Sequence, residues 1–264
     1  MDPISDQDYL KKEQYRKGDR LDARVQLHRR FSTNPTVYFE WMYDHLQLQS
    51  NMRVLEAGCG TGELWRANLQ RLPDGLKITL FDLSTGMAAD TRTTVSNDSR
   101  FNFSSADAQH LPFASSQFQR VIANYMLYHV PDISQAVREL RRVLVPGGVL
   151  CAATNSNNHM RELHELLLRF GLSVNTLPDF AARYGLENAP QTLGEHFDRV
   201  EVISFVDSLF VTDATALTAY IRSMSGMWHF VPGALEDLEQ WVVEEIRTKG
   251  GFSIQKASGV VLAW

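Results

Sequence analysis

Hydrophobic positions along this chain follow two rhythms, and the change between them falls near residue 50. Before it they recur at helical spacing: "DARVQLHRRF" carries Val25, Leu27, His28 and Phe31, and "STNPTVYFEWMYDHL" carries Val37, Tyr38, Trp41, Met42 and Leu46. Asn34 is the expected N-cap of the second helix and Pro35 its first helical residue. From residue 52 short apolar runs alternate with helical stretches, the signature of a parallel sheet with crossover helices. Strands are predicted at "MRVLEA", "LKITLFD", "FNFSSAD", "FQRVIAN" and "GVLCAATN", and helices at "ELWRANLQRL", "TGMAADTRTTV" and "ISQAVRELRRVL". "VPGG" (145–148) is read as the turn that stops the last of these helices and starts the fifth strand. Crossovers in such units are right-handed, so ligands gather at the carboxyl ends of the strands, where several polar residues stand.

Beyond that core, "HMRELHELLLRF", "ATALTAYIRSM" and "ALEDLEQWVVEEIRTKG" have helical periodicity, while residues 171–197 are mixed. "DRVEVISFVD" reads as a strand and "FSIQKASGVVLAW" alternates like a closing one. No repeat, low-complexity tract or linker interrupts the pattern, so the expectation is one domain with added helices.

Composition narrows the partners more than the fold. The chain has 264 residues, 44% of them hydrophobic, which is enough for a substantial core. A net charge of −5 argues against a broad nucleic-acid surface, and no apolar run is long enough for a membrane span. The N-terminal residues lack the order of a secretory signal. Cys59 and Cys151 form neither a disulfide framework nor a zinc-type spacing, which fits a cytoplasmic setting. No metal is expected.

The chemistry starts at "VLEAGCGTGELW". Gly58, Gly60 and Gly62 follow the first strand as G-x-G-x-G, and Glu63 stands where a dinucleotide fingerprint needs its third glycine. The Gly-Lys-Ser/Thr of a phosphate loop is absent as well. A carboxylate at Glu56 repels a pyrophosphate and attracts an ammonium, so a ligand with an amino-acid end and a positive centre fits better. Asp82 ends the second strand, where a carboxylate can accept from two ribose hydroxyls at roughly 1.5–3 kcal/mol each. Asp107 follows the third strand, placed for an adenine amino group.

"VLEAGCGTG", "LFDLSTGM", "SADAQHLPF", "FQRVIANYMLYHVPD" and "ELRRVLVPGGVL" resemble, in order and spacing, the successive motifs of class I S-adenosylmethionine-dependent methyltransferases, in particular the small-molecule group. The resemblance covers residues 52–154 closely. It implies a Rossmann-like doubly wound α/β sheet of seven strands, the last antiparallel, with a helical insertion before that strand. Residues 1–50 would be an N-terminal helical cap, and residues 51–264 the S-adenosylmethionine-binding domain with a substrate cover at about 208–251. By the same resemblance Glu56, Gly58, Gly60 and Gly62 surround the methionine part of the cofactor, and Asp82 holds the ribose. Leu83 and Met87 lie beside the adenine, Asp107 and Ala108 hold its edge, and Asn124 and Tyr125 close over the sulfonium region. Gln119 departs from the usual Asp of the fourth-strand motif, at the strand's far end.

Methyl transfer from a sulfonium is an in-line displacement, in which positioning can supply on the order of 7–11 kcal/mol of barrier reduction. A base is needed only where the acceptor must lose a proton. His129 and His28 are the candidates for that role, with structural hydrogen bonding as the alternative for each. Tyr15, Tyr128, Trp228 and His229 are candidates for the substrate wall, and the aromatic cover points to a small, partly apolar or aromatic metabolite methylated on O, N or C, as in secondary metabolism. RNA or protein methylation, and a non-catalytic cofactor-binding subunit, are the alternatives. Asn124-Tyr125-Met126 differs from the Asn/Asp-Pro-Pro-Tyr of adenine-N6 and glutamine methyltransferases.

Overall fold

A computed structural model describes residues 5–9, 19–95, 98–171, 180–224 and 230–264. The alternating runs form one sheet from β1 (Arg53–Ala57), β2 (Lys77–Asp82), β3 (Phe101–Ser105), β4 (Phe118–Asn124), β5 (Leu144–Asn155), β6 (Val200–Val211) and β7 (Phe252–Ala263). Its order is β3-β2-β1-β4-β5-β7-β6; the first five strands run parallel, and β7 is antiparallel to both neighbours. The expected seven-stranded α/β sheet with a reversed last strand is therefore present. Central strands covered on both faces read as apolar runs: Val54 and Leu55, successive in β1, are both fully buried on opposite sides.

Those two residues belong to different cores. Val54, Ile78, Leu80, Ile122 and Cys151 pack under α3 (Tyr38–Leu46), α4 (Glu63–Asn68) and α5 (Thr85–Thr94) with Met42, Leu46 and Trp65. Leu55, Phe81, Val121 and Val261 pack on the other face against α6 (Ile133–Val143), α8 (Phe180–Tyr184) and α9 (Ala189–Gly194). α6 shows why: Ala136, Val137, Leu140 and Val143 form one buried stripe, and the Asp132 side chain caps the helix by accepting from Gln135 N at 2.8 Å.

A third core lies where β6 and β7 run on past the parallel sheet. Leu209, Val211 and Ile254 meet Leu27 and Phe31 of α2 (Asp19–Phe31), Leu163 and Leu167 of α7 (Arg161–Arg169), Leu217 and Ile221 of α10 (Ala214–Ser223), and Leu238 and Val242 of α11 (Ala234–Lys249). Asp213 caps α10 and a left-handed Gly250 ends α11. A short helix, α1 (Gln7–Tyr9), precedes all of these.

Two local expectations are corrected. α3 begins at Tyr38, not at Pro35: Asn34 Oδ1 accepts from Thr36 N at 2.8 Å, and Asn34 Nδ2 donates to Val206 O at 2.8 Å. The asparagine thus forms an Asx turn that fastens the chain to the edge of β6, where Thr33 N also bonds Ser208 O at 2.9 Å. Residues 145–148 lie inside β5, not in a separate turn, because the register slips between the Phe118–Leu144 and Arg120–Val149 pairs and the extra residues bulge from an otherwise continuous strand.

Candidate functional site

At the end of β1 the chain turns into α4 through three glycines that all have positive φ: 68° at Gly58, 54° at Gly60 and 78° at Gly62. A Cβ on Gly58 would sit 2.7 Å from Met126 Cβ, and one on Gly62 2.8 Å from Thr91 Cγ2, so space and backbone both require glycine there. The loop is moored to β2: Gly58 N and Cys59 N donate to Phe81 O at 2.8 and 3.1 Å. Asp82 continues the mooring, accepting from Gly60 N at 3.1 Å and Ser84 N at 2.8 Å. Burial raises the Asp82 carboxyl to about 6, against the pull of these backbone donors.

Glu56 is 2% exposed and accepts from Trp65 Nε1 at 2.5 Å and Asn124 Nδ2 at 2.9 Å. Burial outweighs those donors and lifts its carboxyl to about 8, so it holds a proton at neutral pH. The Asn124 amide that donates to Glu56 leaves its own Oδ1 buried without a partner, and Thr61 Oγ1 in the glycine loop is orphaned likewise. Asp107 accepts from Gln109 N at 2.9 Å, from Gln109 Nε2, and from Gln7 Nε2 at 3.1 Å. Burial pushes Asp107 up, but these hydrogen bonds and the nearby His110 prevail, and it stays below the ordinary range.

These groups line one cavity of about 1120 Å³ together with Leu83, Met87, Ala108 and Tyr125. Ten of the eleven residues expected to touch the cofactor thus line one end of it, at the carboxyl ends of β1, β2 and β4 and just after β3, whereas Gly62, the N-cap of α4, does not line it. The other end is walled by α2, the β5–α7 turn, α10 and β7. His28 lies there, 6.0 Å from His159 and 5.9 Å from Tyr220 between ring centroids. Burial first, then the charge of Lys256, lowers His28 to about 3, which makes it a neutral and weak base. Tyr128 and His129 also line the cavity, on the 3-10 turn after β4, with the His129 ring 5.5 Å from Phe180. Tyr15, Trp228 and His229 lie outside the described residues.

Tyr125 joins the two ends. It sits in the left-handed region at φ 52°, an unusual conformation for an aromatic residue, with its hydroxyl 2.6 Å from that of Tyr38 and hydrogen-bonded to Ser258. Burial raises Tyr38 well above the ordinary phenol and Tyr125 to about 12, so both remain protonated. Ser258 Oγ donates to Asn155 Oδ1 at 2.8 Å and lies 3.3 Å from His159 Nδ1, which also accepts from Ala257 N at 3.2 Å. Lys256 pairs with Asp207, its direct partner across the β6–β7 ladder, and the two side chains are 7% and 1% exposed.

Sequence reasoning missed His159, Tyr220 and the Lys256–Asp207 pair. One signal was available: Phe205, Asp207, Leu209 and Val211 form the inward phase of β6, and a lone carboxylate in such a phase requires a partner.

A methyltransferase-domain family model matches residues 55–152. Over 181 residues the chain is 33% identical to malonyl-acyl-carrier protein O-methyltransferase of Enterobacter lignolyticus, covering 66% of this chain and 64% of that one. Over 112 residues it is 33% identical to 2-phytyl-1,4-naphtoquinone methyltransferase of Thermosynechococcus vestitus, covering 42% and 50%. The chain spans about half the length of the curated relatives it matches. The fold is also that of Haemonchus contortus phosphoethanolamine N-methyltransferase 2, solved in complex with S-adenosyl-L-methionine, with a TM-score of 0.61 at 17% identity over 97% of this chain and 59% of that one.

Proposed function

The chain belongs to the class I S-adenosylmethionine-dependent methyltransferases, and from that premise we propose that it transfers a methyl group to O, N or C of a small, partly apolar or aromatic metabolite. The observation that carries this reading is the pairing of a proton-holding Glu56 with the orphaned Asn124 Oδ1: two buried acceptors that a ligand ammonium satisfies together. The other residues fit the same cofactor. Asp82 has lone pairs left for ribose hydroxyls, Asp107 accepts from the adenine edge, and Leu83, Met87 and Ala108 enclose the base. S-adenosylmethionine, when bound, supplies an electrophilic methyl on a sulfonium.

This chain's residues then exclude water and hold the acceptor in line. Tyr38 and Tyr125 fix the boundary between the two ends of the cavity, and Phe180, Met160, Tyr220 and Met224 give the acceptor end its apolar walls. His129 is the base for an acceptor that must lose a proton, and neutral His28 orients the acceptor. Two relatives named for an acyl-carrier-bound malonyl group and a naphthoquinone support a small or carrier-presented acceptor. The free, buried thiols of Cys59 and Cys151 suit a reducing cytoplasm.

Calorimetric titration with S-adenosylhomocysteine, alongside NAD, tests the reading. Micromolar binding of the first and none of the second supports it, and screening of acceptors by mass spectrometry for a methyl gain follows. Folded protein that binds neither, or binds NAD instead, rejects it.

A further inference from the structure

The two ends of the cavity differ in charge. Among the described residues, the carboxylates that line it are Glu56, Asp82 and Asp107 around the cofactor site, with Glu40 on α3 and Glu63 at the start of α4; the cation on this side, Arg66, is ion-paired with Glu63. Around the acceptor end stand Arg24, Arg29 and Lys256 with the imidazoles of His28, His159 and His164.

Asp207, the carboxylate paired with Lys256, does not cancel this surplus on the cavity side. Asp207 does not line the cavity, and its oxygens also accept from Ser32 Oγ, Asn34 N and Ser208 N at 2.7 to 3.2 Å. Lys256 has three N–H donors and directs one to Asp207. His159 Nδ1 accepts from Ala257 N, so in the neutral ring the proton sits on Nε2 and makes a further donor. His28 Nδ1 is buried with no partner. Donors and positive charge therefore converge where an uncharged or cationic ligand would leave them unmatched.

We propose that the acceptor end of the cavity binds an anionic oxygen group of the methyl acceptor, such as a carboxylate or an ionised enol or phenol, through Lys256, His159 and Arg24. The proposal rests on the methyl-transfer reading, which makes this end the acceptor site. It assigns the substrate class: an acidic molecule with an apolar or aromatic body, whose charge is held by the basic wall while the body lies against Met160, Tyr220 and Met224. An acid of that kind is attracted to this end and disfavoured by Asp82 and Asp107 at the other, so charge helps to order the two ligands.

The test titrates the full chain, saturated with S-adenosylhomocysteine, with 1-naphthoate, 1-naphthamide and 1-naphthylmethylammonium. Naphthoate is expected to bind at least about tenfold more tightly than either of the others. The same series is run on Arg24→Gln and on the double variant Lys256→Met/Asp207→Leu, which removes both buried charges together and leaves no unpaired carboxylate. The double variant is expected to lose the preference, and Arg24→Gln to reduce it about threefold. Equal binding of the ammonium compound, survival of the preference in the double variant, or no naphthoate binding at all overturns the proposal. Repeating the series without S-adenosylhomocysteine separates it from the reading beneath: failure of S-adenosylhomocysteine to bind strikes the cofactor site, while the charge preference is still measured.

Discussion

The cavity's two ends are built on opposite principles. The cofactor end takes its polar groups from the carboxyl ends of the parallel strands and the loops just after them, so each is a few residues from a buried strand core, and its charged side chains are mostly acids, two of which, Glu56 and Asp82, burial raises. The acceptor end is gathered from α2, the β5–α7 turn, α10 and β7, and its charged side chains are basic. The difference teaches what each part of the fold does: rigid central strands set one geometry for a ligand of fixed shape, whereas an appended core of helices around extended β6 and β7 can change its lining without disturbing the sheet.

The most damaging single change at the cofactor end is expected at Asp82. Two charge-assisted hydrogen bonds to a ribose are together on the order of 3 kcal/mol, so Asp82→Ala should weaken S-adenosylhomocysteine about 100-fold in calorimetry. It should leave the naphthoate preference in place, since no Asp82 contact reaches the basic wall. Equal loss at both ends would mean that the two are one coupled site and that the contrast between them is spurious.

Glu56 gives the next largest effect, with opposite signs for binding and stability. Its folded carboxyl at about 8 lies above the ordinary 4.5, so the folded chain holds a proton that the unfolded chain releases. The stability linked to that proton is fully present below about 4.5 and is lost as pH rises through 8. Glu56→Gln should therefore raise stability at pH 9 by on the order of 3 kcal/mol, measured by denaturant unfolding without ligand. Asn124 can turn its unpartnered Oδ1 toward the new amide, which keeps the substitution well packed. Affinity for S-adenosylhomocysteine should fall about tenfold in the same variant, and in the unsubstituted protein it should rise with pH up to about 8 as less proton has to be displaced. A pH-independent affinity would place the ligand ammonium elsewhere.

The same contrast explains what was legible in the sequence. Glu56, the glycine loop, Asp82 and Asp107 each follow or end a predicted strand, so local pattern and function coincide within short stretches. The acceptor end offers no such stretch: Arg24, His159 and Lys256 are far apart in the chain and line one cavity only because β6 and β7 pair in one register and α2 packs on α10. The Asn34-Pro35 start signal failed for the same reason, since its asparagine side chain found β6 instead of the helix end. His28 was visible as a histidine on a helix, but its low proton affinity depends on burial and on Lys256, 228 positions away by sequence number (256 − 28). Accordingly His28→Gln should lower kcat less than about tenfold and leave the pH profile of kcat unchanged, where loss of a general base would take roughly 10²–10⁴-fold. A larger loss together with a shifted profile would return His28 to the base role.

The smallest effect concerns the joint between the ends. Tyr125→Phe removes the hydroxyl that donates to Tyr38 and bonds Ser258, and Ser258 keeps Asn155 as a partner. The expected loss of stability is about 1–2 kcal/mol, from one buried phenol left without its donor. Because burial holds both phenols in their protonated form, that loss should be the same at pH 6 and pH 9. S-adenosylhomocysteine affinity should change less than about threefold, as neither Glu56 nor Asp82 bonds to the phenol, while KM for the acceptor should rise more than kcat falls. If cofactor affinity falls instead and KM stays fixed, Tyr125 belongs to the cofactor end, and the boundary between acidic and basic halves lies farther toward β7, at Ser258 and His159.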